Sequence, residues 1–220
     1  MKLFKIIPVL LTSLTLVACG GKEEKPTPKP SSDELAVFKE AVRNSAVTKV
    51  STSETYYVPS YSVTLNASSV LTISYNDGIL AKYDYAFQKL GDASSSSFIE
   101  NKSGTLYANA LSVGEIKNAG LEWYDNVSKS CTLLGFNLDE SYFSSYSVNN
   151  DSNTLTATIN DQHVSSFLNY DYSGVTNMLF RMTLNSDKKV SSTEVDFSVN
   201  SNKVNVKNLY SYEPQIVVIQ

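Results

Sequence analysis

The sequence is poorest in the residues that do chemistry. It holds one histidine, two cysteines, one tryptophan and three methionines in 220 residues. A Ser-His-Asp or Cys-His arrangement would have to use His163, the single imidazole. His163 follows Asp161 and Gln162 at an expected helix start, where an exposed, solvated histidine is the ordinary outcome. A zinc site lacks its usual histidines and thiols. No glycine-rich phosphate motif occurs. Asp139 and Glu140 are adjacent, so their carboxylates point in different directions on any regular element. Asn149-Asn-Asp-Ser-Asn153 offers oxygens in the manner of a calcium loop but lacks the EF-hand order and its closing glutamate. A hairpin turn is the better reading there. These absences leave no catalytic residue, metal or cofactor to assign, and the expectation is a non-enzymatic protein.

Charge is also scarce. Charged residues make up 18% of the chain, against roughly 25% in ordinary soluble domains. The formal balance is −4, and no basic block occurs. Nucleic acid demands a cationic face, so it is a poor partner. The same balance argues against docking onto anionic head groups through charge. Serine, threonine, asparagine and fourteen tyrosines fill the difference, a composition that suits pleated, half-buried strands. Tyr56-Tyr57 and the Tyr170/Tyr172 pair could line a cavity or a partner surface, though ordinary strand packing explains them first.

The one long apolar run lies at the start. Lys2 and Lys5 precede a run from Ile6 to Val17, which is too short to cross a bilayer core of ~30 Å as a helix. The run ends in Leu16-Val17-Ala18-Cys19, followed by Gly20-Gly21. This resembles the lipobox of bacterial lipoproteins. The resemblance implies that Cys19 takes a diacylglyceryl group and becomes the N-terminus once residues 1–18 are cut away. It implies a palmitate-type lipid anchor on the extracytoplasmic face of a cell membrane, with the membrane as partner. Two or more acyl chains hold stably where one does not. Removing the leader leaves 16 basic and 22 acidic side chains, a balance of −6. It also leaves Cys131 as the second of two thiols, so a disulfide framework is excluded. Its apolar setting, Ser130-Cys131-Thr132-Leu133-Leu134, suits a buried structural thiol. Residues 19–32, rich in proline and charge, form a tether. At ~3.1 Å per residue it could stand a domain up to roughly 40 Å from the bilayer. Residues 33–220 are then expected to form a single domain.

Within that domain, Ser31-x-x-Glu34 is a capping box ahead of Leu35, Phe38, Val42 and Ala46, which predicts a helix over about 32–46. The period then changes to two. Val63, Leu65 and Ala67, then Leu71, Ile73 and Tyr75, alternate with polar residues, and Asn76-Asp77-Gly78 supplies a tight hairpin turn into Ala81, Tyr83, Tyr85 and Phe87. Gly91–Ser97 reads as a polar loop, and Phe98–Asn109 holds one or two short strands. Ser112-x-x-Glu115 is a second capping box, and Leu121, Tyr124, Val127, Cys131 and Leu134 mark a helical face. Asp139–Tyr146 starts another short helix. Leu155, Ala157 and Ile159 make a strand. Asp161 caps a short helix whose Val164, Phe167 and Leu168 face inward. Strands follow at Met178–Leu184, Val195–Val199 and Val204–Val206, with Ile216–Ile219 as a final edge strand after Pro214. Connections this short imply an antiparallel sheet.

This order, with the Asn153–Val164 step from strand to helix and the closing meander to Tyr210-Ser-Tyr212, is similar to that of the LolA/LppX-like lipoprotein-carrier superfamily. The likeness lies in the order of elements, with no signature residue, so no ligand contact is carried over. It implies an α+β fold: a bent antiparallel sheet, or incomplete barrel, with an N-terminal helix and short helices on its concave face. It also implies a cavity for acyl chains, and so a lipid-binding protein whose partner is a hydrophobic ligand. The competing expectation is a surface-exposed protein- or glycan-binding module with a solid core.

Overall fold

The computed structural model of the chain describes residues 32–75, 79–87, 93–102, 105–109, 121–123, 132–168 and 173–217. The leader, Cys19, the tether up to Ser31, Asn76–Gly78, Ser112-x-x-Glu115, Cys131, Tyr170 and Tyr172 lie outside them, whereas Ser32, the last tether residue, already belongs to the first helix.

A helix, α1 (Ser32–Arg43), opens the described chain. Five strands follow: β1 (Lys49–Val58), β2 (Val63–Ser74), β3 (Ile79–Phe87), β4 (Ala93–Lys102) and β5 (Thr105–Asn109). Two short strands, β6 (Leu121–Trp123) and β7 (Thr132–Leu134), pair only with each other. The chain then makes β8 (Phe143–Asn149), β9 (Thr154–Ile159), a short helix α2 (Val164–Leu168), β10 (Val175–Leu184), β11 (Val190–Val199) and β12 (Asn202–Ser211). Ten strands form one open antiparallel sheet in the order β5-β4-β3-β2-β1-β12-β11-β10-β9-β8. Among the described residues the architecture is that of an incomplete barrel with few helices. β1 and β12 are the central pair, joined from Lys49↔Ser211 to Tyr57↔Lys203. The ladder slips beside Thr176/Leu179 and Thr183/Leu184 in β10 and beside Phe143/Ser145 in β8. Such slips bend a strand and increase its twist.

Alternation decides which face is covered. Leu155, Ala157 and Ile159 of β9, and Met178, Phe180, Met182 and Leu184 of β10, are buried on the inner face. Leu35, Phe38, Ala41 and Val42 of α1 and Val164 and Phe167 of α2 close over this face in one continuous core. The rings of Phe136, Phe167 and Phe180 meet with centroids 4.9–5.8 Å apart, as tilted and edge-on pairs. The outer face is wet. There Arg181 reaches Asp196 at 2.8 Å and Glu194 at 3.7 Å, and Asn205 donates to both carboxylates.

Several expectations need correction. α1 stops at Arg43 rather than 46; Ala46 is exposed and Val47 takes the buried place. Asn44 and Ser45 bond back to Glu40 and Ala41, closing the last turn before the β-branched Val47 and Thr48. The Gly91–Ser97 loop is mostly strand, because β4 starts at Ala93 and pairs with β3. Of the expected helical face, Leu121 and Leu134 instead sit opposite each other in a short ladder, while Tyr124, Val127 and Cys131 lie outside the described residues. A short apolar run does not separate the two periods by itself. Asp139–Tyr146 yields only a 3₁₀ turn, Glu140–Tyr142, before β8; the Asp139 carboxylate caps it by accepting from Ser141 N and Oγ. Those bonds hold the Asp139 carboxyl below its ordinary value. The cap before α2 is Asn160, not Asp161: Asn160 Oδ1 accepts from Gln162 N. Asp161 instead accepts from the amide of Asn177, a left-handed residue at the β10 bulge. Of the expected edge strand Ile216–Ile219, Ile216 and Val217 form no strand, and Val218 and Ile219 lie outside the described residues.

Candidate functional site: a groove on the inner face

The sheet's inner face is not filled evenly. A groove of about 400 Å³ runs along β11 and β12 between the strands and a cover made by Phe136 and Leu168. Native interiors hold few voids larger than a water molecule, so a space of this size is a feature of the design. It falls within the roughly 300–1,000 Å³ typical of small-molecule sites.

Register orders the floor into rungs. Val199 and Asn202 form the outermost rung, beside Ser173 and Val175. Here the Ser173-Gly174 turn crosses near Asn200; Gly174 has φ +76°, a backbone region that favours glycine. Next come Phe197, Val204 and Tyr56, which are paired in line across three strands. The third rung is Val195 and Val206, with Glu54 paired beside Val206 on β1 but outside the lining. At the inner end Asn208 closes the lining, flanked along the ladder by Thr193 on β11, Thr52 on β1 and Ser69 on β2. The outer rungs are therefore mainly apolar and the inner end is polar.

That polar end is deeply buried. Asn208 is 1% exposed, Thr52 5% and Glu54 8%. Thr52 Oγ1 donates to Asn208 Oδ1 at 2.7 Å, and Asn208 Nδ2 donates to Thr193 Oγ1 at 3.4 Å. Thr193 and the Tyr210 hydroxyl share a hydrogen bond of 2.8 Å. Tyr56 OH donates to Glu54 Oε2 at 2.8 Å. Burial pushes the Tyr210 hydroxyl well above the ordinary tyrosine value.

The residues singled out from sequence go elsewhere. His163 is half buried rather than exposed, and its ring packs on Tyr142 at 5.1 Å. Asn149–Asn153 forms the β8–β9 hairpin turn, with Asn149 Oδ1 accepting from Ser152 N. Among the described residues no cluster of three or more His, Cys, Asp or Glu could hold a metal. No helix there is long and apolar enough to cross a membrane. Of the tyrosines, only Tyr56 joins the groove lining among those described. Glu54, Thr52 and Asn208 carried no sequence signal: a lone polar residue in a strand pattern reads as a solvated one.

No protein-family model matches the sequence, and a search of curated proteins finds no match. Among solved structures, the fold is similar to LprF from Mycobacterium bovis, at 11% identity and a TM-score of 0.38, covering 87% of this chain and 98% of that one. It is also similar to the lipoprotein LppX from Mycobacterium tuberculosis, at 12% identity and a TM-score of 0.38, covering 86% and 100%. A DUF1329 family protein from Desulfovibrio piger shares 6% identity with a TM-score of 0.27, covering 85% and 95%. At these identities and scores, the chemistry of the groove rests on this chain's own residues.

Proposed function

We infer that this chain is an extracytoplasmic lipoprotein that binds or carries a hydrophobic, lipid-like molecule in the groove under Phe136 and Leu168. An acylated Cys19 holds it to the membrane, residues 19–32 act as tether, and residues 33–220 are the binding domain. The groove itself is the observation that carries the reading. Val175, Met178, Val195, Phe197, Val199 and Val204 turn apolar surface toward an unfilled space. Each methylene placed there gains about 0.8 kcal/mol by leaving water. The role is binding rather than catalysis. A protein- or glycan-binding module required a solid core, which a groove of about 400 Å³ does not favour.

Mass spectrometry of organic extracts tests the reading. The Cys19→Ser chain, purified without acyl chains of its own, is expected to carry or take up lipid at about one molecule per chain. A clean extract together with no titratable binding of any long-chain amphiphile would refute it.

A further inference from the structure

We propose that the inner end of the groove is a head-group site, and that Glu54 selects amphiphiles whose head donates hydrogen bonds, such as an alcohol or an amine, over anionic ones. This rests on the reading of the groove as a ligand site and names the ligand's polar end.

Three observations carry it. First, Glu54 is more than nine-tenths buried yet has one hydrogen bond among the described residues, from Tyr56 OH to Oε2. Its Oε1 has no partner there. A buried carboxylate with an open oxygen is costly, and native structures leave few such groups without a reason. Second, Glu54 is bracketed by groove residues. Val206 faces it across the ladder, Val195 lies beyond Val206, and Tyr56 and Asn208 flank it on the adjacent rungs. Glu54 is not itself a lining residue; a molecule lying along the groove brings its end to Val206 and Asn208, the lining residues next to this carboxylate. Third, the inner faces of β1, β2 and β8 to β12 carry no other Asp or Glu and no Lys or Arg among the described residues. Arg181, Lys203 and Lys207 alternate onto the outer face. No cation there neutralises Glu54 or would greet a carboxylate or phosphate head.

An ionised carboxylate only accepts hydrogen bonds. A hydroxyl or ammonium head supplies the missing donor to Oε1, and a charge-assisted bond is roughly twice as strong as a neutral one. A carboxylate or phosphate head instead meets a like charge in a poorly solvated place. Asn208 is already committed through Oδ1 to Thr52, so it leaves Glu54 as the open acceptor. The ligand therefore enters head first, with its tail along Val206, Val204 and Val199 toward the Asn202 end.

Matched probes of one chain length test this: dodecanol, dodecylamine and dodecanoate, titrated below their aggregation limits into the full chain carrying Cys19→Ser. Displacement of a groove-bound fluorescent probe is the readout. Dodecanol and dodecylamine are expected to bind about tenfold or more tighter than dodecanoate at neutral pH. Glu54→Gln, which keeps the shape and removes the charge, is expected to bring dodecanoate to within about threefold of dodecanol. Circular dichroism checks that the variant folds, and the wild-type ranking tests the idea without it. Dodecanoate binding as tightly as dodecanol to the wild type overturns the proposal, as does an unchanged ranking in Glu54→Gln; the groove reading survives both. If none of the three binds the wild type, the head-group proposal is overturned; the groove reading itself fails only when the organic extract is clean as well. The amine arm separates charge pairing from simple donation: a ranking of amine well above alcohol that collapses in Glu54→Gln assigns a cationic head.

Discussion

At the residue scale, stability depends on a few buried rings and on the polar chain beneath the groove. Phe167 is fully buried and touches the rings of Phe136, Phe143 and Phe180. Phe167→Ala is expected to cost about 3–5 kcal/mol in urea unfolding, because the hole it leaves cannot close without moving both α2 and β10. Tyr210 gives a pH signature. Its hydroxyl is buried against Thr193, so its folded pKa lies above the ordinary 10.0. Tyr212 is raised too, chiefly by burial. Below pH 10 both the folded and the unfolded chain hold these groups neutral, and their contribution is fully present. As pH rises past 10, the unfolded chain ionises first and stability falls. Urea midpoints are expected to drop between pH 10 and 12, and to drop less in Tyr210→Phe. At neutral pH that variant loses about 1 kcal/mol for the missing hydroxyl.

At the scale of elements, turn chemistry and strand patterning were unequally legible. Asn200 and Ser201 both have positive φ, 48° and 68°, and form the two-residue turn between β11 and β12. This is the turn type that matches strand twist, and it suits Asn followed by Gly. Serine is strained there, so Ser201→Gly is expected to raise stability by about 0.5–1 kcal/mol, read as a higher thermal midpoint with ligand binding intact. The strands of the C-terminal third announce themselves by apolar alternation, and Leu155, Ala157, Ile159, Met178, Phe180 and Met182 are all buried where that alternation puts them. β1 does not. Its inward positions run Val50, Thr52, Glu54 and Tyr56, so a pattern search for hydrophobes passes over the strand at the centre of the sheet. The remaining signal was its content of threonine, tyrosine and valine, which suits a pleated surface but does not say which face is covered. The same polar inward residues make β1 the strand that shapes the groove's inner end.

At the scale of the molecule, the groove and the start of the described chain lie at opposite ends of the strands. Asn150, in the β8–β9 turn, donates to Glu34 in the first turn of α1. That turn sits beside the Leu184 end of β10, as the pairing of Thr154 with Thr183 requires. Val175, Val199 and Asn202 mark the other end. If the chain is anchored as proposed, through a tether that enters at α1, the groove's outer rung faces away from the attachment point. Val204→Trp places an indole in the middle of the groove. It is expected to weaken binding of a long-chain amphiphile at least about tenfold while the unliganded thermal midpoint moves by no more than a few degrees. Isothermal titration beside a melting curve checks both.

By itself the sequence determined the local features: an amphipathic first helix, turns at Asn149–Asn153, and a strand-rich C-terminal third. These depend on neighbours a few residues apart, so spacing and turn chemistry suffice. Tertiary structure decided the rest. It placed the polar strand β1 between β2 and β12, brought Thr52 beside Asn208 across 156 residues of chain, and buried Glu54 next to an apolar groove. Whether a glutamate is solvated or buried is set by what the opposite strands and the cover supply, and that depends on partners distant in sequence.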